Sequence, residues 1–489
     1  MARAAARGAD TAADEAEQAA YFRRVRPRDW ANPVPRDGYD LAVLGGGPAG
    51  LAAVDAALQA GLRVALIERD RLGGNSLNYG SIPSKAIIGS ARGHVAGAGS
   101  AAPAGDFAAG MARMRRIRAR IAEYHAVDRL CARGVDIFFA EGRFGGPREL
   151  LADGLPVRFR KALIATGARP RPADIPGRAE TGYLTSETLL DLTVLPKHLV
   201  IIGGGPLGCE AAQAFARLGS EVTLVHSDPK FLPFEERDAA ELLARALTRD
   251  GVITRLNTTV VGAHRDGGRK WVDARQDEVR ESFPGDEILL STGRIPNFGM
   301  LQLESAGVVI GPRGIEVDDF LCSSNADVYA AGDVCLAYKY TNIAAASARL
   351  AVRNAFGARD PVSSRHGAIP RCTFCDPEIA HIGLHVWEAR SSKIPVKTYT
   401  VMMQDVDRAI TEGHDEGFVK IHVKDGTDEI LGATIVATRA SEMINEMSVI
   451  MSAGIGMRQL AHILHTYPAQ TGAIGMAAQA FARNEAKSS

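Results

Sequence analysis

The sequence predicts an α/β protein with two nucleotide-binding Rossmann-like domains, one of them split in sequence, followed by a separate C-terminal α+β domain. Three observations carry this. A strand–glycine turn–helix–strand unit occurs twice with the same internal spacing. Each unit is closed further along by a strand that runs into a glycine turn and a proline. Beyond Asp360-Pro361 the pattern changes to alternating strands followed by helical stretches.

Residues 1–36 read as an N-terminal extension. An Ala-rich helical stretch leads into Arg23, Arg24, Arg26, Pro27, Arg28, Pro33 and Pro35. The expectation is a flexible or surface-draped tail, with a basic docking arm as the alternative. Order begins at the apolar run Tyr39–Leu44, which enters Gly45-Gly46-Gly47-Pro48-Ala49-Gly50 and then a helix to about Gln59. Gly61 stops that helix, and Arg63–Glu68 forms the next strand. The second unit repeats this pattern: strand His198–Ile202, turn Gly203-Gly204-Gly205-Pro206-Leu207-Gly208, helix through Arg217, stop at Gly219, and strand Glu221–His226. In both units the second strand ends 23 residues after the first glycine (Gly45 to Glu68, Gly203 to His226). The closing segments are Ala162–Thr166 with Gly167-Ala168-Arg169-Pro170, and Glu287–Thr292 with Gly293-Arg294-Ile295-Pro296. A buried strand Asp327–Ala331 and a helix over about Asn342–Phe356 follow. The expected division is 37–175 with 298–365, then 176–297 inserted between them, then 366–489.

Composition excludes several classes. The chain has 489 residues, 46% of them hydrophobic and 23% charged, which is globular and long enough for several cores. Lys plus Arg and Asp plus Glu are equal at 57, so no field of one sign points to nucleic acid. No apolar run is long enough to span a bilayer, and no signal-peptide core is seen, so a cytoplasmic location is expected. The six cysteines are scattered and form no disulfide framework.

The glycines carry the chemistry. Gly45 and Gly203 permit the tight turn, Gly47 and Gly205 let a pyrophosphate approach the backbone, and Gly50 and Gly208 let the helix pack on the strand. The helix N-terminus then presents free N–H groups and a positive dipole end to the phosphates. Glu68 stands where an acid accepts hydrogen bonds from adenosine ribose hydroxyls. The second unit has His226 there instead. An acid would repel a ribose 2′-phosphate, and Ser227 and Lys230 can attract one, so NADPH is favoured over NADH.

At this point the chain resembles the flavoprotein disulfide reductases, the group of lipoamide dehydrogenase, glutathione reductase and mercuric reductase, over about residues 38–489. Gly73-Gly74-Asn75-Ser76-Leu77-Asn78-Tyr79-Gly80-Ser81-Ile82-Pro83-Ser84-Lys85 resembles the redox-helix signature, and Ala331-Gly332-Asp333 the second FAD motif. Thr166-Gly167 and Thr292-Gly293-Arg294 resemble the linker motifs, and Asp376-Pro377-Glu378-Ile379-Ala380 the entry to the interface domain. The resemblance implies a split FAD domain contacted through Gly74, Thr166, Gly167 and Asp333 besides the first glycine unit. It implies an NAD(P)H domain that includes Gly293, a C-terminal dimerisation domain, and a homodimer whose active site is shared between subunits. It also implies that Lys85, paired with Glu210, sits near flavin N5, where a cation stabilises developing negative charge.

The departures are equally specific. The signature's two cysteines are Ser76 and Ser81 here, and a hydroxyl cannot cycle between thiol and disulfide. The C-terminal histidine and glutamate are replaced by Tyr467 and Gly472. The joint loss points to a natural protein that has abandoned dithiol chemistry rather than to an engineered trap. Cys372-Thr373-Phe374-Cys375 reads as packed, reduced thiols, and the resemblance places it in the interface domain, away from the flavin. The reading that follows is an FAD-dependent NAD(P)H oxidoreductase that reduces a small non-disulfide acceptor directly from the flavin: a quinone, an electron-poor organic compound, a metal ion or oxygen. Ser76, Ser81 and Tyr79 would line the vacated space, and His465 and Tyr467 of the second subunit would donate a proton. Two alternatives stand beside it: a nicotinamide nucleotide transhydrogenase, and a non-catalytic FAD-binding regulatory or structural homodimer.

Overall fold

A computed structural model describes residues 16–98, 107–357 and 368–488. In the first domain the strands Asp136–Phe139, Val64–Glu68, Tyr39–Leu44 and Leu155–Ile164 lie side by side in that order. The last of these is long. Its first half pairs antiparallel with Glu149–Ala152, and its second half lies parallel between Tyr39–Leu44 and Val328–Ala330. Leu44 is opposite both Ile67 and Ile164, so the parallel strands end together and the Gly45 turn sits at their carboxyl edge. Tyr39–Leu44 and Val64–Glu68 are almost fully buried on both faces, which is why they read as continuous apolar runs rather than as alternations.

The second domain repeats the plan, with strands Ile253–Arg255, Glu221–Val225, His198–Ile202 and Glu287–Leu290 in order and all parallel. An antiparallel meander, Thr259–Asp266, Arg269–Gln276 and Val279–Gly285, covers one side. The two closing segments meet: Ala168–Pro170 pairs antiparallel with Arg294–Pro296, so both chain crossings form one ribbon. Thr166 Oγ1 donates to the Asn297 carbonyl at 2.6 Å, and Asn297 Nδ2 donates back to the Thr166 carbonyl at 3.0 Å. The C-terminal domain is a five-stranded antiparallel sheet from Arg371–Thr373 to Ile430–Ala437, backed by the helices Ala440–Ser452 and Gly472–Ser488.

The N-terminal extension is not a tail over the part that is described; residues 1–15 lie outside the described residues. Residues 16–25 form a helix whose Tyr21 and Val25 are buried in the core of the first domain. Tyr21 Oη donates to Asn78 Oδ1 at 2.5 Å, and Leu72 N–H donates to the Val25 carbonyl at 3.0 Å. Arg36 forms a forked ion pair with Asp136. Arginine-rich composition suggested solvent. In fact Tyr21, Phe22 and Val25 recur at helical spacing and supply an apolar face that needs cover.

The second domain docks on the C-terminal one through a charged junction. Glu236 is 8% exposed; it accepts from Lys420 Nζ at 3.0 Å and lies 2.8 Å from His422 Nε2. Arg371 reaches both Glu235, at 3.3 Å, and His385 Nε2, at 2.5 Å. A guanidinium only donates, so this ring nitrogen accepts and His385 is neutral.

Candidate active site

Both glycine turns have the predicted geometry. Gly45 and Gly203 take φ values of +109° and +112°, a region that L side chains avoid. A Cβ on Gly50 would lie 1.8 Å from the Gly45 carbonyl oxygen, and one on Gly208 would lie 1.9 Å from that of Gly203, so each helix packs on its own turn. Gly47 and Gly205 differ. A Cβ on Gly47 would meet nothing nearer than Gly74 Cα at 3.7 Å, and one on Gly205 would meet nothing within 4 Å. Absence of a side chain there keeps space open at the helix N-terminus, which suits a pyrophosphate.

A groove runs past the first turn. At one end it is lined by Ala140, Glu141, Phe298 and Met300, and it shares Gly45, Glu68, Thr166 and Asn297 with a second stretch. That stretch continues over Gly74 to Ser76, Ser81, Asp333, Lys339 and Thr341. Glu68 sits at the junction. Its Oε2 accepts from Gly46 N–H at 2.6 Å and its Oε1 from Asp70 N–H at 2.7 Å. Burial raises its pKa, opposed by those two backbone bonds. Burial likewise raises Asp333, with Arg294 and Lys339 pulling the other way. Among the described residues Asn75 Oδ1 and Arg294 Nε are buried without a hydrogen bond, although Arg294 Nε lies 3.9 Å from Asp333 Oδ2. A long groove with glycine-walled space for phosphates, an acid at the ribose position and orphaned polar atoms along its wall fits FAD.

Lys85 and Glu210 are brought together from different domains. Lys85 Nζ donates to Glu210 Oε2 at 2.7 Å, and Phe374 N–H donates to Glu210 Oε1 at 2.9 Å. Lys85 Nζ also lies 4.2 Å from the Phe374 ring centroid. Cys372 and Cys375 therefore flank Phe374 in a segment packed on the Lys85–Glu210 pair. Both are free thiols with pKa values pushed well up by burial. They are neutral at physiological pH and poor nucleophiles.

Ser76 and Ser81 both line the groove, and Ser76 Oγ accepts from Thr341 Oγ1 at 3.2 Å. Tyr79 lines it too, but its Oη donates to Asp70 Oδ2 at 2.5 Å and accepts from Arg71. Burial, followed by the Asp70 bond, raises its pKa. Tyr79 is thus a fixed wall. His465 and Tyr467 lie outside this groove in the same chain. His465 is held on both ring nitrogens, by Glu446 Oε1 at 2.6 Å and by the Ile463 carbonyl at 3.2 Å. Tyr467 is 79% exposed, and its Oη donates to Asp407 at 2.7 Å, which raises its pKa.

At the second turn His226 packs against Gly204, as Glu68 packs against Gly46. Burial lowers its pKa, so it is neutral, and Asp228 lies 3.6 Å from its Nε2. Ser227 is exposed and Lys230 half-buried. Asp228, Lys339 and Asn297 were not singled out in the sequence, because each lies just beyond a quoted turn or motif and only folding brings it to the site.

Two dinucleotide turns, a ribbon that joins them and a bridging lysine–glutamate pair define a two-nucleotide flavoprotein. Residues 39–352 match the pyridine nucleotide-disulphide oxidoreductase family, and residues 369–478 match its dimerisation domain. The chain belongs to this family. It is 33% identical over 464 residues to a mercuric reductase of Streptomyces lividans, covering 92% of this chain and 98% of that protein. It is 31% identical to a dihydrolipoyl dehydrogenase of Bacillus subtilis (strain 168), covering 88% and 95%. Its structure is similar to the Cu(II) complex of the HOCl-induced flavoprotein disulfide reductase RclA from Escherichia coli, with a TM-score of 0.82, 28% identity and coverage of 91% and 100%. The protein is an FAD-dependent NAD(P)H oxidoreductase of this family that lacks a close cysteine pair for a disulfide relay. Among the described residues no helix is long and apolar enough to cross a membrane.

Proposed function

We propose that this protein passes electron pairs from NADPH through FAD to a small non-disulfide acceptor, with no cysteine between flavin and acceptor. One observation carries the reading: hydroxyls of Ser76 and Ser81 line the groove at the relay positions while the Lys85–Glu210 pair is intact. FAD, when bound, supplies the two-electron carrier. Lys85 would hold a cation against that carrier, with Glu210 and the Phe374 ring fixing its position. Replacing two thiols by smaller, unreactive hydroxyls leaves room for an acceptor beside Thr341.

Acceptors of the class quinone, electron-poor organic compound or metal ion fit such a site. The metal ion gains support from relatives that are mercuric reductases and from the Cu(II) complex of a structural neighbour. A homodimer is supported by the dimerisation-domain match and by Leu464, which is 98% exposed beside Tyr467 on an uncovered face. In that dimer Tyr467 of the second subunit would close the acceptor side. His465, whose ring nitrogens face two acceptors, Glu446 Oε1 and the Ile463 carbonyl, would hold that loop and stand beside Tyr467 as a second proton donor. The absence of an acid at His226, with Ser227 and Lys230 nearby, favours NADPH; Asp228 opposes it, so discrimination is expected to be modest.

Anaerobic titration with NADPH tests the central claim. The expected result is reduction complete at a single two-electron equivalent per FAD, with no thiolate-to-flavin charge-transfer absorbance. Uptake of a second equivalent would overturn it and implicate Cys372 and Cys375. An acceptor screen with Cu(II), Hg(II) and quinones, run against both nicotinamide cofactors, then identifies the acceptor class.

A further inference from the structure

The N-terminal helix covers more than the core. Between it, the first domain and the segment entering the second domain lies a cavity of about 790 Å³. Arg23, Arg28, Arg71, Arg115 and Arg118 line it, against two acids, Asp29 and Asp191. Arg118 is the informative member. It is only 7% exposed, and among the described residues its Nε has no hydrogen-bond partner and its terminal nitrogens make two long bonds of 3.4 Å to neutral oxygens, of Asn78 and Gln18. Its ring neighbour is Tyr21, 4.4 Å away. A buried guanidinium with no bonded carboxylate among the described residues is costly; burial dominates, Arg71 and Arg115 add to the cost, and Tyr21 and the unbonded Asp191 offset part of it. Among the described residues Arg23 and Arg28 make no ion pair either, although Asp29 and Asp191 are at hand. Such a convergence of planar, five-donor cations matches a multivalent oxyanion, which accepts forked hydrogen bonds from several of them at once.

We propose that this cavity binds a small multivalent anion bearing phosphoryl or carboxylate groups, with Arg118 at its base and Arg23 and Arg28 of the N-terminal arm closing over it. The site is separate from both glycine turns. It touches the flavin groove through Arg71, which lines both and also donates to Tyr79, and through Arg118, which donates to the carbonyl of the groove residue Asn78. Binding there would tie together the arm, the first domain and the Leu190–Thr193 entry to the second.

Isothermal titration of the full-length, FAD-loaded protein with inorganic pyrophosphate and, separately, citrate tests this. Wild type should bind at a single site per chain, more weakly as salt rises from about 50 to about 200 mM. Arg118→Met should weaken binding about tenfold or more, since it removes a charged donor pair. The paired Arg23→Ala/Arg28→Ala variant lies on the exposed arm, and should weaken it as well while leaving FAD content and the rate of flavin reduction unchanged. Tighter binding of pyrophosphate than of citrate assigns a phosphoryl ligand; the reverse assigns a carboxylate. Equal affinity in wild type and the paired variant, or no binding of either anion, overturns the proposal. Should Arg118→Met fail to fold, the paired variant still decides between the two outcomes.

Discussion

The Lys85–Glu210 pair offers the sharpest quantitative test because its two ends are unequally buried. The Glu210 side chain is 7% exposed and that of Lys85 is 32% exposed. Lys85→Met strands a buried carboxylate whose one remaining donor among the described residues is Phe374 N–H, a loss of about 3 kcal/mol by the usual cost of breaking a buried pair. Glu210→Gln leaves an ammonium that can rehydrate and an amide oxygen that can still accept from Phe374, so its cost is about 1 kcal/mol. Lys85→Met/Glu210→Gln should cost less than the sum of the two, because the stranded charge is gone. Urea midpoints of the flavin-loaded protein read these values. The midpoint potential of the bound flavin should also become more negative in Lys85→Met and change less in Glu210→Gln. If Lys85→Met proves no more damaging than Glu210→Gln, unequal burial does not set the cost. If the potential does not move, Lys85 does not face the flavin.

Three further outcomes are expected. Acidification should loosen the junction between the second and C-terminal domains: burial, reinforced by Arg371, holds His385 down at about 3, and, against burial, His422 and Lys420 hold Glu236 at about 2. Both folded values lie below the ordinary values of 6.5 and 4.5, so the unfolded state takes up protons first and stability falls as pH drops through 6.5 to 3 and then 4.5 to 2. Glu236→Gln should remove the lower part of that loss in acid-unfolding curves, and an unchanged curve would refute the assignment. Gly47→Ala should fold normally but purify with little FAD, whereas Gly50→Ala should fail to fold stably, since only the latter Cβ strikes backbone; absorbance ratios and circular dichroism separate the two. Tyr21→Phe removes a buried hydroxyl bond to Asn78 and should cost about 1 kcal/mol in urea melts, while a tail without structural role would show no change.

The sequence alone determined the parts of this protein that depend on backbone shape over short distances. A glycine turn between an apolar strand and a helix is a local event, so Gly45 to Glu68 and Gly203 to His226 were legible without any tertiary contact. The serines at the relay positions were legible for the same reason, being read against a local motif. Tertiary structure decided everything that depends on which surfaces meet. It packed the N-terminal helix on the core through Tyr21 and Val25, despite an arginine-rich composition that suggested solvent. It brought Phe374, more than 150 residues from Glu210, onto the Lys85–Glu210 pair. It also engaged both nitrogens of His465 within its own domain. Charge and hydrogen-bond partners are set by distance in space, and a chain that crosses between domains and returns places distant segments together in ways no local pattern records.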